Sequence, residues 1–168
     1  MRFAPAAAAL SLALALTASV SWSQERAPAP RAATLIAEGD AALQKGELQQ
    51  AIDAFEAALA VDPAHTPTLL RLAEAARADR MQGKAIAYYR EALAREPRNL
   101  AALAGEGEAL AEKGAIEKAR ATLAKVESLC GADCPETRKV AAAIATGRLQ
   151  PVQTAEVVLT EEQKAQVN

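Results

Sequence analysis

The two cysteines of the chain, Cys130 and Cys134, lie in the stretch CGADCP with three residues between them. Two thiols at such a spacing are typical of a redox centre, half a metal site or a covalent staple. The redox motif C-x-x-C is shorter, and there a helix N-terminus lowers the pKa of the first thiol. A metal site needs about four ligands, and the single histidine, His65, is far away in the sequence. We therefore predict a structural disulfide, with a redox role and a metal site as alternatives.

No other catalytic constellation is apparent. One histidine excludes the zinc motif H-E-x-x-H and offers no convincing Ser/His/Asp set. Gly105 and Gly107 lie in a helical segment with no third glycine, so they do not form a nucleotide-binding loop. His65 follows Pro63 and is expected to be a solvated loop residue. We expect a protein that is not an enzyme and needs no cofactor and no metal.

The N-terminus has the pattern of a secretory signal peptide over residues 1–23. Arg2 is followed by no charge until Glu25, and the apolar run AAAALSLALALTASV covers residues 6–20. Small residues around Trp22 favour cleavage after Ser23, and an uncleaved membrane anchor is the alternative. The run is mostly alanine and has no basic flank, so we expect no stable membrane span after signal removal. The predicted location is secretion across the inner membrane into the periplasm, an oxidising compartment.

The charge and aromatic content restrict the partners. Without Arg2 the chain keeps 18 Lys and Arg against 21 Asp and Glu, a net charge of −3. This acidic balance argues against nucleic acid as a partner, because nucleic acid calls for a basic surface. The expected mature chain has only Phe55, Tyr88 and Tyr89 as aromatic residues. We expect Tyr89 in the core and Tyr88 partly exposed.

A repeat of 34 residues organises the middle of the chain. The residues Leu35, Gly39, Ala51, Phe55, Ala58 and Pro63 recur as Leu69, Ala73, Ala85, Tyr89, Ala92 and Pro97, and then in part as Leu103, Gly107, Ala119 and Leu123. Within each unit, apolar residues recur at helical spacing, and alanine is the strongest helix former. Turn residues such as Gly46 and Gly114 separate the runs. The pattern predicts an all-α protein in which each unit is a hairpin of two helices.

These residues resemble the tetratricopeptide repeat (TPR) family, and the chain looks like a small exported bacterial-type member. The family motif has small residues at unit positions 8, 20 and 27, an aromatic at 24 and proline at 32. Units 32–65 and 66–99 match it, whereas unit 100–133 has Leu123 and Val126 at positions 24 and 27 and lacks the proline. The resemblance implies an α-solenoid of three helical hairpins plus a C-terminal capping helix, within a domain spanning residues 32–147.

The cysteines lie at the last corner of this arrangement. The second helix of unit three is expected to end at Cys130, with Gly131 closing it in a left-handed cap. Pro135 favours the start of the capping helix 135–147, whose Val140 and Ile144 would cover the last apolar face. A disulfide there requires a Cα separation below about 7 Å and would stabilise the fold by roughly 2 kcal/mol. Outside the domain, residues 24–31 are predicted to form a flexible spacer, and residues 148–168 are predicted to form a mostly disordered tail.

In the family, residues near positions 2, 5, 9 and 12 of the first helix of each unit line a concave groove that receives peptides or partner segments. The resemblance places at positions 5, 9 and 12 the residues Ile36, Asp40, Leu43, Leu70, Glu74, Arg77, Ala104, Glu108 and Ala111. Position 9 is acidic in all three units, which would favour a partner segment with Lys or Arg. Solvated surface charge is the alternative, with Glu74 and Arg77 as an ordinary i,i+3 pair. Chaperone-binding members have Lys and Asn at positions 5 and 9, so their activity is not carried over.

The sequence therefore predicts a non-enzymatic adaptor of the cell envelope that binds a protein or peptide segment of unknown identity. A structural subunit of an envelope assembly, held through the convex face or the tail, is the first alternative. A thiol–disulfide protein working through Cys130 and Cys134 is the second.

Overall fold

Seven α-helices and no strand make up residues 26–147, the part of the chain that the computed structural model describes. The helices are α1 (Pro30–Lys45), α2 (Leu48–Val61), α3 (Thr66–Ala78), α4 (Gln82–Arg95), α5 (Leu100–Glu112), α6 (Ile116–Cys130) and α7 (Pro135–Gly147). They form three hairpins, α1–α2, α3–α4 and α5–α6, followed by α7 against α5 and α6. The predicted all-α solenoid is thus confirmed. The signal-peptide and tail predictions concern residues outside the described range.

The first helix begins earlier than the sequence predicts. Pro30 and Arg31, which the prediction assigns to the flexible spacer, belong to α1. Proline suits the first helical position because its missing N–H needs no partner there. Within residues 26–147, no helix combines the length and the apolar character needed to cross a membrane.

The core is built from alanines and a few large side chains. Phe55 is completely buried in the cluster formed by α1, α2 and α3, and Tyr89 is 2% exposed in the cluster formed by the later helices. Small residues allow these rings to enter. A Cβ added at Gly39 would overlap the Phe55 ring, and one added at Gly105 would overlap the Tyr89 ring. Helix packing at these two crossings therefore requires glycine.

The capping helix closes the far end as predicted from Val140 and Ile144. Both side chains are buried, at 0% and 4% exposure. A Cβ on Gly107 of α5 would lie 2.8 Å from a methyl carbon of Val140, so α7 packs closely against α5 at this glycine. The last apolar face of the solenoid is therefore covered by α7.

The corner inside each hairpin uses one backbone conformation at equivalent positions of the repeat. Gly46, Arg80 and Gly114 are separated by 34 residues and have positive φ angles of 77°, 58° and 81°. At each corner the next residue donates its N–H to a carbonyl of the preceding helix, at 2.8–2.9 Å. Glycine adopts this left-handed conformation at little energetic cost. Unit two has Arg80 at the same corner, and a residue with a side chain is strained in that conformation.

Replacing Arg80 with glycine tests this difference between the corners. We expect Arg80→Gly to raise the free energy of unfolding by about 0.5–1 kcal/mol, because relief of left-handed strain exceeds the added entropy of an unfolded glycine. Gly114→Ala should lower it by about 1 kcal/mol. Urea denaturation followed by circular dichroism measures both. If Arg80→Gly proved destabilising, the Arg80 side chain would be contributing more than the corner geometry indicates.

Candidate partner-binding groove

Two pockets lie on the surface formed by the first helices of the hairpins and by α7, which we call the A-helix face. The N-terminal pocket lies between α1 and α3 and is lined by Ala33, Ile36, Asp40, Pro67 and Arg71, with His65 and residues 26–28 at its end. The C-terminal pocket lies between α3, α5 and α7 and is lined by Glu74, Arg77, Ala101, Ala104, Glu108, Glu136 and Lys139, with Tyr89 and Gly105.

The structure distributes the nine predicted groove residues unequally. Ile36 and Asp40 line the N-terminal pocket, whereas Glu74, Arg77, Ala104 and Glu108 line the C-terminal pocket. The other three, Leu43, Leu70 and Ala111, line neither of these pockets. Leu43 and Leu70 are half-buried and pack against the core. Ala111 is 1% exposed because the end of α7 covers it, with Gly147 beside its carbonyl oxygen, so its assignment to the groove was wrong.

Arginines interrupt the predicted acidic stripe. Asp40 forms an ion pair with Arg71 of α3. Arg77 contacts Glu108 at 2.9 Å and Glu112 at 2.6 Å, both on α5. The alternative i,i+3 pair between Glu74 and Arg77 is not formed, because Arg77 turns toward α5. The A-helix face therefore carries charge pairs that link successive helices, and Glu74 has no ion pair within residues 26–147.

The polar groups at the floor of the C-terminal pocket influence one another. Burial opposes the charge of Arg77, but the carboxylates of Glu108 and Glu112 outweigh this effect and raise the pKa of the guanidinium. Burial raises the pKa of Tyr89 to about 12, and Arg77 opposes this shift while Glu74 adds to it. The phenol is therefore neutral at physiological pH and able to donate and accept hydrogen bonds.

The segment before α1 is attached to the end of α2. Asp62 is 6% exposed, accepts a hydrogen bond of 3.0 Å from the backbone N–H of Ala29 and forms an ion pair with Arg26. The N–H of Ala29 contributes most to lowering the pKa of the Asp62 carboxyl, followed by Arg26. These contacts hold residues 26–29 at the rim of the N-terminal pocket.

His65 was wrongly predicted to be a solvated loop residue. It is 7% exposed, and its Nδ1 shares a hydrogen bond of 2.7 Å with Oγ1 of Thr68. The reason is its place in the repeat, immediately before α3, where Asn99 stands in the next unit before α5. Asn99 accepts a hydrogen bond from the N–H of Ala102 at 3.0 Å and caps its helix, whereas the larger imidazole is packed inward.

The cysteines meet the geometric condition for a disulfide. Their Cα atoms are 5.9 Å apart and their sulfur atoms lie at bonding distance. Thr137 of α7 donates a hydrogen bond of 2.8 Å to the carbonyl of Gly131 and contacts Sγ of Cys134 at 3.2 Å. Gly131 ends α6 with φ of 90° and ψ of 168°, which is positive-φ backbone but not the predicted left-handed cap. The structural role of the bond stays a prediction.

Metal ligation at this corner would have few groups available. A carboxylate oxygen of Glu136 lies within 4.8 Å of both cysteine sulfurs. With the sulfurs bonded to each other, neither is a thiolate that could bind a metal ion.

Sequence reasoning missed several residues of the two pockets. Pro67 and Ala101 occupy position 2 of their units, a position that the family resemblance itself places in the groove. Arg71 occupies position 6 of unit two, and Lys139 occupies the same position when the repeat is continued into the capping helix. The recurrence of a positive charge 68 residues apart could have indicated these two residues. Nothing in the periodicity indicated that Tyr89, a core residue, also lines a pocket.

Comparison with known proteins identifies the repeat. Two tetratricopeptide repeat family models match the chain, one over residues 32–65 and one over residues 83–149. The chain belongs to the TPR family. The first match coincides with the predicted first unit, and the second includes the looser third unit and α7. A comparison with curated proteins gave no match.

Solved TPR domains share the fold. The Sgt2 TPR domain from Aspergillus fumigatus is 26% identical, with a TM-score of 0.61 over 73% of this chain and 80% of that one. The TPR2B domain of yeast Sti1, in complex with pHsp70, is 17% identical with a TM-score of 0.64 over 71% and 98% of the two chains. The second TPR domain of human RPAP3, in complex with the HSP70 peptide SGPTIEEVD, is 18% identical with a TM-score of 0.62 over 71% and 97%.

The contacts of Asp62 predict a specific response to pH. Since folding lowers the pKa of this carboxyl below its ordinary value of 3.8, its stabilising contribution is present above that value and is lost as the pH falls through the folded pKa. Asp62→Asn should therefore lower the melting temperature at pH 7 and have a diminishing effect below about pH 4. Thermal unfolding from pH 7 to pH 2.5 measures this. A wild-type advantage that persisted unchanged at pH 2.5 would contradict the assignment.

The cysteine pair predicts a stability effect that leaves partner binding intact. The double variant Cys130→Ser, Cys134→Ser should unfold with about 2 kcal/mol less free energy than the oxidised wild type, because the closed loop is lost. Dithiothreitol should lower the stability of the wild type to that of the variant and leave the variant unchanged. Equal stability of oxidised wild type and variant would refute the structural role.

Proposed function

We propose that this TPR protein is a non-enzymatic adaptor of the cell envelope that binds a segment of a partner protein on its A-helix face. The observation that carries the proposal is the pair of pockets on that face, each combining apolar surface with carboxylates. The structurally similar domains of Sti1 and RPAP3 were solved with an Hsp70 ligand and an HSP70 peptide. Peptide binding by a TPR domain is thus the mode that the fold favours.

The charge on the A-helix face favours a different ligand from the acidic peptide SGPTIEEVD bound by RPAP3. Position 9 carries Asp40, Glu74 and Glu108 along the three units. Two of these carboxylates are paired with arginines, so the face is less acidic than the sequence suggested, but Glu74 keeps its charge available. The partner segment therefore carries Lys or Arg, which would be attracted to the carboxylates and positioned by them.

Placement in the envelope rests on two features of the chain. The pattern of residues 1–23 is that of a secretory signal, and the cysteine pair lies at disulfide distance. Disulfides persist in compartments outside the reducing cytosol. Both features support a periplasmic adaptor that meets its partner after export.

A matched pair of triple variants tests the binding face. Peptides would be selected from a displayed random library on the purified protein, and their affinities would be measured at low and moderate salt. The groove variant carries Asp40→Asn, Glu74→Gln and Glu108→Gln. The control carries Asp53→Asn, Glu117→Gln and Glu127→Gln, which remove the same charge from exposed positions on α2 and α6.

We expect the groove variant to bind at least about tenfold more weakly and with less dependence on salt, and the control to bind like the wild type. Circular dichroism would verify that both variants are folded. Equal affinity of the groove variant and the wild type would place the binding surface on the convex face or in the tail. Affinity capture from envelope extract would then name the partner.

A further inference from the structure

A regular relation between neighbouring units is broken at one point of the A-helix face. The acids at position 9 are followed 31 residues later by position 6 of the next unit, which carries Arg71, Gly105 and Lys139 in turn. Asp40 forms an ion pair with Arg71, and Glu108 shares the C-terminal pocket with Lys139. Glu74 is followed by Gly105. The repeat thus places a cation at this offset from the first and third acids and none from the second, and of the two cations only Arg71 forms an ion pair with its acid.

Tyr89 explains why the cation is missing. Its ring lies against Gly105, where an added Cβ would overlap three atoms of the phenol. Position 105 cannot carry a side chain while the Tyr89 ring is packed there. The contact that joins units two and three therefore excludes a basic residue at the position from which Glu74 would otherwise receive a counter-ion. The space beside Glu74 is left to a ligand.

The floor of the same pocket has hydrogen-bonding capacity that residues 26–147 do not use. Nε of Arg77 is buried and has no acceptor there, and because this N–H is a donor it is open to a carbonyl oxygen of the bound segment and not to its cation. Tyr89 is 2% exposed and lines the pocket, and its hydroxyl lies close enough to Arg77 and Glu74 for both to affect its pKa. A phenol oxygen beside a carboxylate can accept from an ammonium or guanidinium N–H while donating its own proton.

The walls suit the stem of a long basic side chain. Ala101 is exposed and Ala104 is buried on α5, and both line the pocket. Such an apolar wall accommodates methylene groups below a charged head. The pocket carries three carboxylates, of Glu74, Glu108 and Glu136, against the cations Arg77 and Lys139. Its charge is therefore complementary to one additional cation.

We propose that the C-terminal pocket binds one Lys or Arg side chain of the partner segment, with Glu74 as its counter-ion and Tyr89 as a second hydrogen-bonding group. This inference rests on the proposed function and adds the position at which the basic residue is read. In the N-terminal pocket a ligand cation would have to compete with Arg71 for Asp40. In the C-terminal pocket neither Arg77 nor Lys139 forms an ion pair with Glu74, so a ligand cation displaces no existing pair there and its position fixes the register of the bound segment.

A double-mutant cycle tests the assignment. In each peptide selected from the displayed library, every Lys and Arg would be replaced in turn by norleucine, which keeps the methylene stem and removes the charge. At one position we expect the replacement to weaken binding about tenfold or more to the wild type and less than about twofold to Glu74→Gln. Tyr89→Phe should reduce the penalty in part. The matched control Glu127→Gln, an exposed acid on α6, should keep the wild-type penalty.

Two outcomes separate this inference from the proposed function. If peptides bind the A-helix face but the norleucine penalty is the same in Glu74→Gln as in the wild type, the pocket assignment is overturned and the adaptor function stands. If no peptide binds that face, the adaptor proposal fails, and titration with n-butylammonium and n-butylguanidinium tests the pocket alone. Backbone amide shifts at Ala101 and Gly105 that are lost in Glu74→Gln would support the pocket, and their absence in the wild type would overturn it.

Discussion

The first two units of this solenoid each place one large ring between closely packed helices, and glycine provides the space for it. Phe55 and Tyr89 occupy the same position of successive units, yet they use glycines in different places. The Phe55 ring lies against Gly39 in its own unit, whereas the Tyr89 ring lies against Gly105 in the following unit. The second arrangement brings a core side chain through to the A-helix face. A packing requirement thus determines where that face is open.

Charge on the A-helix face follows from the same stacking. An acid at position 9 pairs with the first helix of a neighbouring unit, which is the following unit for Asp40 and the preceding unit for Glu108. Arg71 and Arg77 each join two first helices in this way, to Asp40 and to Glu108. The more exposed of the two pairs, Asp40 with Arg71, is of a kind that contributes little to stability. These ion pairs have a larger effect on specificity, because they leave only the unpaired carboxylates available to a partner.

The repeat, the three hairpins and the capping helix could be predicted because they depend on periodicity, which a single sequence displays directly. The features that escaped prediction depend on contacts between side chains, most of them between residues distant in sequence. Periodicity showed an acid at Asp40 but not the arginine beside it on α3. It placed His65 in a loop, although its position before α3 turns the ring inward against Thr68. Ala111 matched a groove position, but α7 covers it. Six of the nine predicted groove residues nevertheless line the two pockets.

The last corner of the solenoid is closed differently from the corners after units one and two. Units one and two pass to the next helix through Asp62-Pro63 and Glu96-Pro97, where proline restricts the backbone. In unit three the equivalent residues are Cys130 and Gly131, so the restriction by proline is absent and a cross-link at Cys134 takes its place. Two residues after that cross-link α7 carries Glu136, and Lys139 follows one turn later, both at the C-terminal pocket. The hydrogen bond of Thr137 to Gly131 therefore fixes the start of the helix that carries these two residues, and the disulfide is expected to add to the stability of the corner.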